Sequence, residues 1–221
     1  MQAQVHTLTM GMSQAYLIES AGGLALLDAG SPGHEDKVLG LMKDIGRDDL
    51  RLIFITHAHL DHYGSAAGIR RTTGAKVVIH QDDAQAMTQG ETILGETRGR
   101  GRILPPFLGL YERFRGPEPT PPDIILNDGD NLEEYELDGW LLHTPGHTRG
   151  SSCLIIRDEL AFAGDLITNR DRPRLQRFYA QDWNGLPASL ERLKKVEPAL
   201  VYPGHGRHPV SRSQLQDLSS G

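Results

Sequence analysis

Five of the ten histidines in this 221-residue chain fall in three short motifs. The first runs His57, Ala58, His59, Leu60, Asp61, His62; the second Pro145, Gly146, His147, Thr148; the third Pro203, Gly204, His205, Gly206. Gly164 and Asp165 stand between the second and third. Together they offer five imidazoles and two carboxylates, enough to hold two divalent metal ions with positions left for water. Such a pair generates hydroxide without a protein nucleophile, because a bound cation lowers the pKa of water from about 15.7 to about 7. It also stabilises the oxyanion formed when hydroxide attacks a carbonyl or phosphoryl centre. Asp61 can in addition carry a proton to the leaving group.

Regular elements must bring these scattered groups together. Residues 3–9, 14–19 and 23–28 are predicted as a strand meander ending in Leu27, Asp28, Ala29 and Gly30. A helix fits 34–45, where Val38, Leu41, Met42 and Ile45 recur at helical spacing. Strand 51–55 opens directly onto the first motif, so an extended chain would point the rings of His57 and His59 the same way. A helix is expected from near Asp61 to about Arg71, then strand 76–79 and a short polar helix. Strands follow near 123–126, 139–143, 152–156 and 160–163, with Asp165 ending the last of them. A helix at about 187–196 and a strand at 200–202 lead to His205. Residues 91–122, rich in glycine and proline, interrupt this rhythm and read as a lid-like insertion in a single domain of residues 1–221. The alternation predicts two packed sheets with helices outside.

Composition narrows the function classes. A net charge of −6 argues against nucleic acid or an anionic membrane as partner. No apolar run approaches the roughly 18 residues of a membrane helix. The N-terminus has neither the basic start nor the apolar stretch of a secretory signal. The single cysteine, Cys153, precludes an intrachain disulfide and reads as a small buried residue. A cytoplasmic protein acting on a small molecule is the expectation, with a homodimer left open.

From Asp28 to Gly206 these motifs resemble the metallo-β-lactamase-fold superfamily. The resemblance implies an α+β fold, a four-layer αββα sandwich with the active site along one edge of its two sheets. It implies one metal on His57, His59 and His147, and a second on Asp61, His62 and His205. Asp165 and a hydroxide would bridge the two, which makes Asp61 and Asp165 the catalytic carboxylates. Asp28 would orient a ligand histidine, as ligating imidazoles usually require. The activity implied is that of a dinuclear metal-dependent hydrolase, its metal-bound hydroxide attacking a small carboxylic ester, lactone or thioester. Zinc is the favoured ion, and iron or manganese also suits a bridging carboxylate.

Departures from the family's subgroups sharpen this. True β-lactamases of the family typically lack the bridging aspartate that is present here as Asp165, so antibiotic hydrolysis is not expected. Lactonase members resemble the chain in motif content, but Thr168 stands where they carry a tyrosine. Phosphoester or phosphotriester hydrolysis is the nearest alternative. Persulfide dioxygenases keep the same motifs around one iron, on the equivalents of His57, His147 and Asp165.

The surroundings are less specific. In the insertion, Phe107, Leu110, Tyr111 and Phe114 form a helical stripe that suits either a substrate-binding lid or packing. With Tyr179, three of them (Phe107, Tyr111 and Phe114) are the candidate substrate-binding side chains, and Trp183 is a neighbour in the same wall. Arg98, Arg100, Arg102, Arg113 and Arg115 lie in the insertion, and Arg170, Arg172, Arg174 and Arg177 follow Asp165. Guanidinium groups bind carboxylate and phosphate, but ordinary solvated loop arginines are the simpler expectation. His143 is expected to be structural, and His80 a cap or a neighbour of the site.

Overall fold

The computed structural model describes residues 4–20, 22–103 and 114–219. Its first sheet joins β1 (Gln4–Met10), β2 (Ser13–Ser20), β3 (Gly23–Leu27), β4 (Leu50–Phe54), β5 (Lys76–His80) and β7 (Ile124–Leu126), in that order. Between them in sequence lie α1 (Glu35–Asp44), α2 (Leu60–Tyr63), α3 (Ala66–Thr73), α4 (Gln81–Gln89) and the two-residue β6 (Glu96–Thr97). β1 to β3 form an antiparallel meander, and β3, β4, β5 and β7 run parallel. Parallel neighbours need crossover connections, which α1 and α3 supply.

The second sheet runs β14 (Val210–Ser211), β13 (Leu200–Gly206), β10 (Leu160–Asn169), β9 (Ser152–Ile156), β8 (Gly139–His143). Short β11 (Arg174–Leu175) pairs with β10, and β12 (Tyr179–Ala180) pairs with β6. Helix α5 (Gly185–Val196) makes the parallel crossover from β10 to β13, and α6 (Arg212–Gln216) follows β14.

Side chains of a strand alternate between faces, and three buried clusters record that alternation. Leu24, Leu26, Ile53, Ile55, Val77 and Ile79 meet Val38 and Met42 of α1, Ile69 of α3 and Met87 of α4. Their neighbours Ala25, Leu27, Leu52, Phe54 and Val78 face the second sheet, against Leu141, Leu154, Ile156 and Phe162. On that sheet's far side Cys153, Ile155, Ala161 and Val201 pack on Leu186, Leu190 and Leu193 of α5. The order helix, sheet, sheet, helix is the αββα sandwich expected. Burial raises the Cys153 thiol to about 12, which keeps it an inert core group.

Three expectations need correction. β4 ends at Phe54 and the chain bends over 56–58, so His57 and His59 follow the strand as expected but on a bent loop rather than on extended chain. The helix expected over 61–71 is two helices, broken at Gly64 and Ser65, where the Ser65 hydroxyl donates to Ser31 O and accepts from His34 N. Strand 160–163 continues to Asn169 through irregular pairing with β13, so Asp165 lies inside β10. The irregularity falls at Gly164, whose φ of +47° suits glycine, and a Cβ there would meet Thr56 Oγ1 at 2.6 Å.

Beneath the edge that carries the motifs, Phe162 stacks on Tyr202 with ring centroids 4.9 Å apart and meets Tyr16 at 5.5 Å. Tyr16 donates to Pro203 O at 2.7 Å, tying the first sheet to the turn that holds His205. Burial, then the Asp28 charge, keeps that phenol protonated and therefore a donor. Phe162→Ala should cost about 3–5 kcal/mol of stability. A chemical-denaturation midpoint near that of the parent protein would show that this trio does not clamp the sheets.

Candidate metal centre

All seven motif side chains converge at the carboxyl ends of β3, β4, β10 and β13 and at the loop between β8 and β9. Crevices beyond the carboxyl ends of parallel strands are where open α/β sheets bind ligands. His57 Nε2, His59 Nδ1 and His147 Nε2 form a triangle with edges of 3.1, 3.1 and 3.0 Å. A tetrahedral zinc with bonds of about 2.0–2.1 Å would set its nitrogens about 3.3 Å apart. The second group holds His62 Nε2 and His205 Nε2, each 3.3 Å from Asp165 Oδ1, and Asp61 Oδ2, 3.5 Å from His205 Nε2. Asp165 Oδ2 faces the first group, 3.5 Å from His147 Nε2. One carboxylate thus presents an oxygen to each cluster.

The hydrogen bonds behind the rings decide what these nitrogens can do. Each imidazole has its other nitrogen against an oxygen. His59 Nε2 donates to Ile93 O at 3.3 Å, His147 Nδ1 to Tyr179 O at 3.2 Å and His205 Nδ1 to Met12 O at 2.9 Å. His62 Nδ1 donates to Asp28 Oδ2 at 2.8 Å. His57 Nδ1 donates to Thr56 Oγ1 at 3.0 Å, and that hydroxyl donates in turn to Asp28 Oδ1 at 3.0 Å. A neutral imidazole has one N–H, so in its neutral form each ring turns a bare lone pair inward. Lone pairs 3.0 Å apart repel unless a cation lies between them. Consistently, His62 Nε2 and Asp165 Oδ1 are buried with no hydrogen-bond partner. The donor set therefore fits two divalent ions.

Electrostatics separates the two clusters. Burial, reinforced by neighbouring rings, pushes His57 well below the ordinary histidine range and His147 down to about 3. Burial also lowers His59, against the Asp61 and Asp165 charges. These three are neutral at neutral pH, as ligands must be. Burial opposes a proton on His62 and His205 too, but there carboxylates win. Asp28, Asp61 and Asp165 raise His62 well above its usual range, and Asp165 leads the groups that raise His205. The second cluster thus demands positive charge, which a proton or a metal can supply. Asp165 is buried, yet His205 and His62 hold it well below the carboxylate range.

Sequence reasoning missed several residues that hold this arrangement. Thr56 relays His57 to Asp28, and its place beside His57 was the available signal. Asp28 itself, expected to steady one histidine, steadies two, with its backbone at a left-handed φ of 54°. Asp83 is 5% exposed and accepts from Ala58 N at 2.9 Å, Thr148 Oγ1 at 2.7 Å and Gly150 N at 2.8 Å. It braces the His57–His59 loop to the His147 loop, and nothing in its own sequence neighbourhood announces that. Gly204 admits no side chain, because a Cβ would lie 2.6 Å from Asp165 Oδ1 and 2.7 Å from His62 Cε1.

The side chains expected to line a substrate wall are placed as follows. Tyr179 approaches His147 and His59, with ring centroids 5.0 and 5.7 Å apart. Phe114 is 76% exposed and borders a cleft with Ile93 and Pro117. Phe107 and Tyr111 lie outside the described residues. Residues 91–97 belong to the centre rather than hanging beside it: Ile93 O takes the His59 proton and β6 pairs with the strand bearing Tyr179. His80 caps α4, accepting from Asp82 N at 3.2 Å, and stacks on His143 with centroids 3.9 Å apart.

The superfamily profile for metallo-β-lactamases matches residues 8–205. The chain belongs to the metallo-β-lactamase superfamily. The probable metallo-hydrolase YqgX of Bacillus subtilis (strain 168) is 28% identical over 200 residues, covering 88% of this chain and 85% of YqgX. The acyl-coenzyme A thioesterase MBLAC2 of Bos taurus is 31% identical over 141 residues, 58% of this chain. That stretch is 47% of MBLAC2, so this superfamily member matches about half of the thioesterase's length. Among solved structures, TTHA1623 in a di-iron-bound form shares 26% identity at a TM-score of 0.71, over 96% of this chain and 98% of that one. Membership and these relatives support a metal-dependent hydrolase. Among the described residues, no helix is long and apolar enough to cross a membrane.

Asp28→Asn should keep the fold while inverting His62. The amide would donate to His62 Nδ1, moving that ring's proton to Nε2, where it points into the centre. Metal affinity should fall about 10–100-fold, and ring-nitrogen NMR should report the switched tautomer; unchanged affinity would show that Asp28 does not set it. Asp83→Ala removes three buried hydrogen bonds at once and should lower stability by about 2–4 kcal/mol, read from thermal unfolding of the metal-free protein.

Proposed function

We propose that the chain is a dinuclear metal-dependent hydrolase acting on a small carboxylic ester, lactone or thioester, with thioesters favoured. The carrying observation is the convergence of bare lone pairs on two points bridged by Asp165. In this reading His57, His59 and His147 hold one ion, Asp61, His62 and His205 hold the other, and Asp165 serves both. The name of the thioesterase relative supports the thioester preference. Zinc suits the histidine-rich shell, and the di-iron form of TTHA1623 supports iron as the rival. The full second cluster favours two ions over the single iron of a persulfide dioxygenase.

When bound, the ions supply Lewis acidity, polarising the substrate carbonyl and acidifying water. The protein's own groups do the rest. Asp61 is the more accessible of the two carboxylates, 8% exposed against 4% for Asp165. It takes the proton released as water adds to the carbonyl carbon, and delivers it to sulfur as the C–S bond breaks, leaving a thiol and a carboxylic acid that loses its remaining proton to solvent. Burial first, then the charges of Asp165 and Asp61, keep the Tyr179 phenol protonated. Its hydroxyl makes no hydrogen bond to a described residue, so it is free to donate to the developing oxyanion.

Elemental analysis should give two divalent ions per chain, and chelation should abolish thioester hydrolysis until metal is restored. His59→Ala should lose the first ion and lower kcat/KM by at least about 100-fold. Full activity in the chelated protein, or one iron per chain with oxygen consumption, would refute the hydrolase reading.

A further inference from the structure

A cavity of about 610 Å³ lies one side chain away from the metal centre. Gln176 forms the shared wall: it lines the cavity, and its Nε2 stands 3.4 Å from Asp165 Oδ2. Four guanidinium-bearing residues, Arg98, Arg172, Arg174 and Arg177, border the space, with Asp217 as the acidic residue among its described lining. That is a concentration of positive charge in a chain whose net charge is −6. Arg172 and Arg177 make no ion pair with a described residue. Arg174 reaches Asp171 through Nη2 at 2.8 Å, but its Nε is buried without a partner. A buried donor with no acceptor is costly, so the described residues do not fully satisfy the Arg174 guanidinium.

Apart from Ser219, the remaining described walls are apolar or aromatic. Pro173, Leu175 and Pro187 supply flat hydrocarbon, and the Trp183 indole stands beneath the Arg98 guanidinium, 4.3 Å from its centroid. Multiple forked cations beside flat apolar walls suit a ligand bearing several phosphates and a planar ring. The volume is within the range of small-molecule sites.

We propose that this cavity binds a phosphorylated nucleoside, the arginines taking the phosphates and the Trp183 side the base. Resting on the thioester reading above, the nucleoside is the handle of a coenzyme A thioester whose acyl group reaches the metal centre. The four arginines then act as specificity determinants, separating carrier-bound acyl groups from simple thioesters.

Titration of the metal-loaded protein with adenosine 3′,5′-bisphosphate tests the site directly, with adenosine and inorganic phosphate as controls. Saturable binding is expected, weakened about tenfold for each guanidinium removed in Arg172→Gln and Arg177→Gln. No binding by the parent protein, or equal binding by the double variant, overturns the proposal. A kinetic arm distinguishes a substrate handle from a free nucleotide ligand. The ratio of kcat/KM for acetyl-coenzyme A to that for S-acetyl-N-acetylcysteamine should fall at least tenfold in the double variant. A ratio that stays constant while bisphosphate affinity drops overturns the handle and leaves a free-nucleotide site. If neither thioester is hydrolysed, the thioester reading fails, and the titration still decides the cavity.

Discussion

The repulsion between inward lone pairs is the constraint on which the site depends. Each of five imidazoles, when neutral, gives its one proton to an oxygen behind it, His62 to Asp28 directly and His57 to the Thr56 hydroxyl that donates to Asp28. That arrangement leaves bare nitrogens about 3 Å apart among buried side chains. In such surroundings unpaired polar groups are expensive, and a cation is the economical remedy. The outer hydrogen bonds therefore do more than orient rings. They favour the protonation pattern that suits the pocket to divalent cations, while burial and the carboxylates divide it into a neutral trio and a carboxylate-rich partner.

Local backbone strain accompanies this geometry. Asp28 adopts a left-handed φ where a carboxylate, not a glycine, is required. Gly164 and Gly204 leave room for Thr56 and for Asp165 with His62, respectively. Such conformations persist only where the surroundings over-determine them. Here the surroundings are two sheets with three apolar interfaces, clamped under the site by Tyr16, Phe162 and Tyr202. Stability is thus built beneath the motif edge, and conformational cost is concentrated at it.

Charge is distributed as unevenly as strain. The carboxylates that favour positive charge at His62 and His205 lie inside the centre, whereas the arginines gather just outside it beyond Gln176. The carboxylates are matched to the cations the centre would hold, whereas the arginines are left for an anionic group of a ligand. This spatial division suits a molecule with a charged end and an uncharged reacting end.

Much of this was legible beforehand. Continuous aliphatic runs such as Leu24 to Leu27 gave away the strands, since burial on both faces demands them. The spacing of His57, His59, Asp61 and His62, with two Pro-Gly-His turns and Asp165, was sufficient to name the ligand candidates and the fold. Boundaries near the site were less legible, because tertiary contacts at Ser65 and Gly164 override local pattern there. The stripe at Phe107 and Tyr111 falls outside the described residues, and Phe114 faces solvent. By itself the sequence determined which side chains can bind metal, because side-chain chemistry is local. Only the tertiary structure decided which nitrogen of each ring is bare, that Asp83 joins two ligand loops, and that four arginines border one cavity. Those facts depend on partners brought together from dozens of residues away, and no local pattern encodes them.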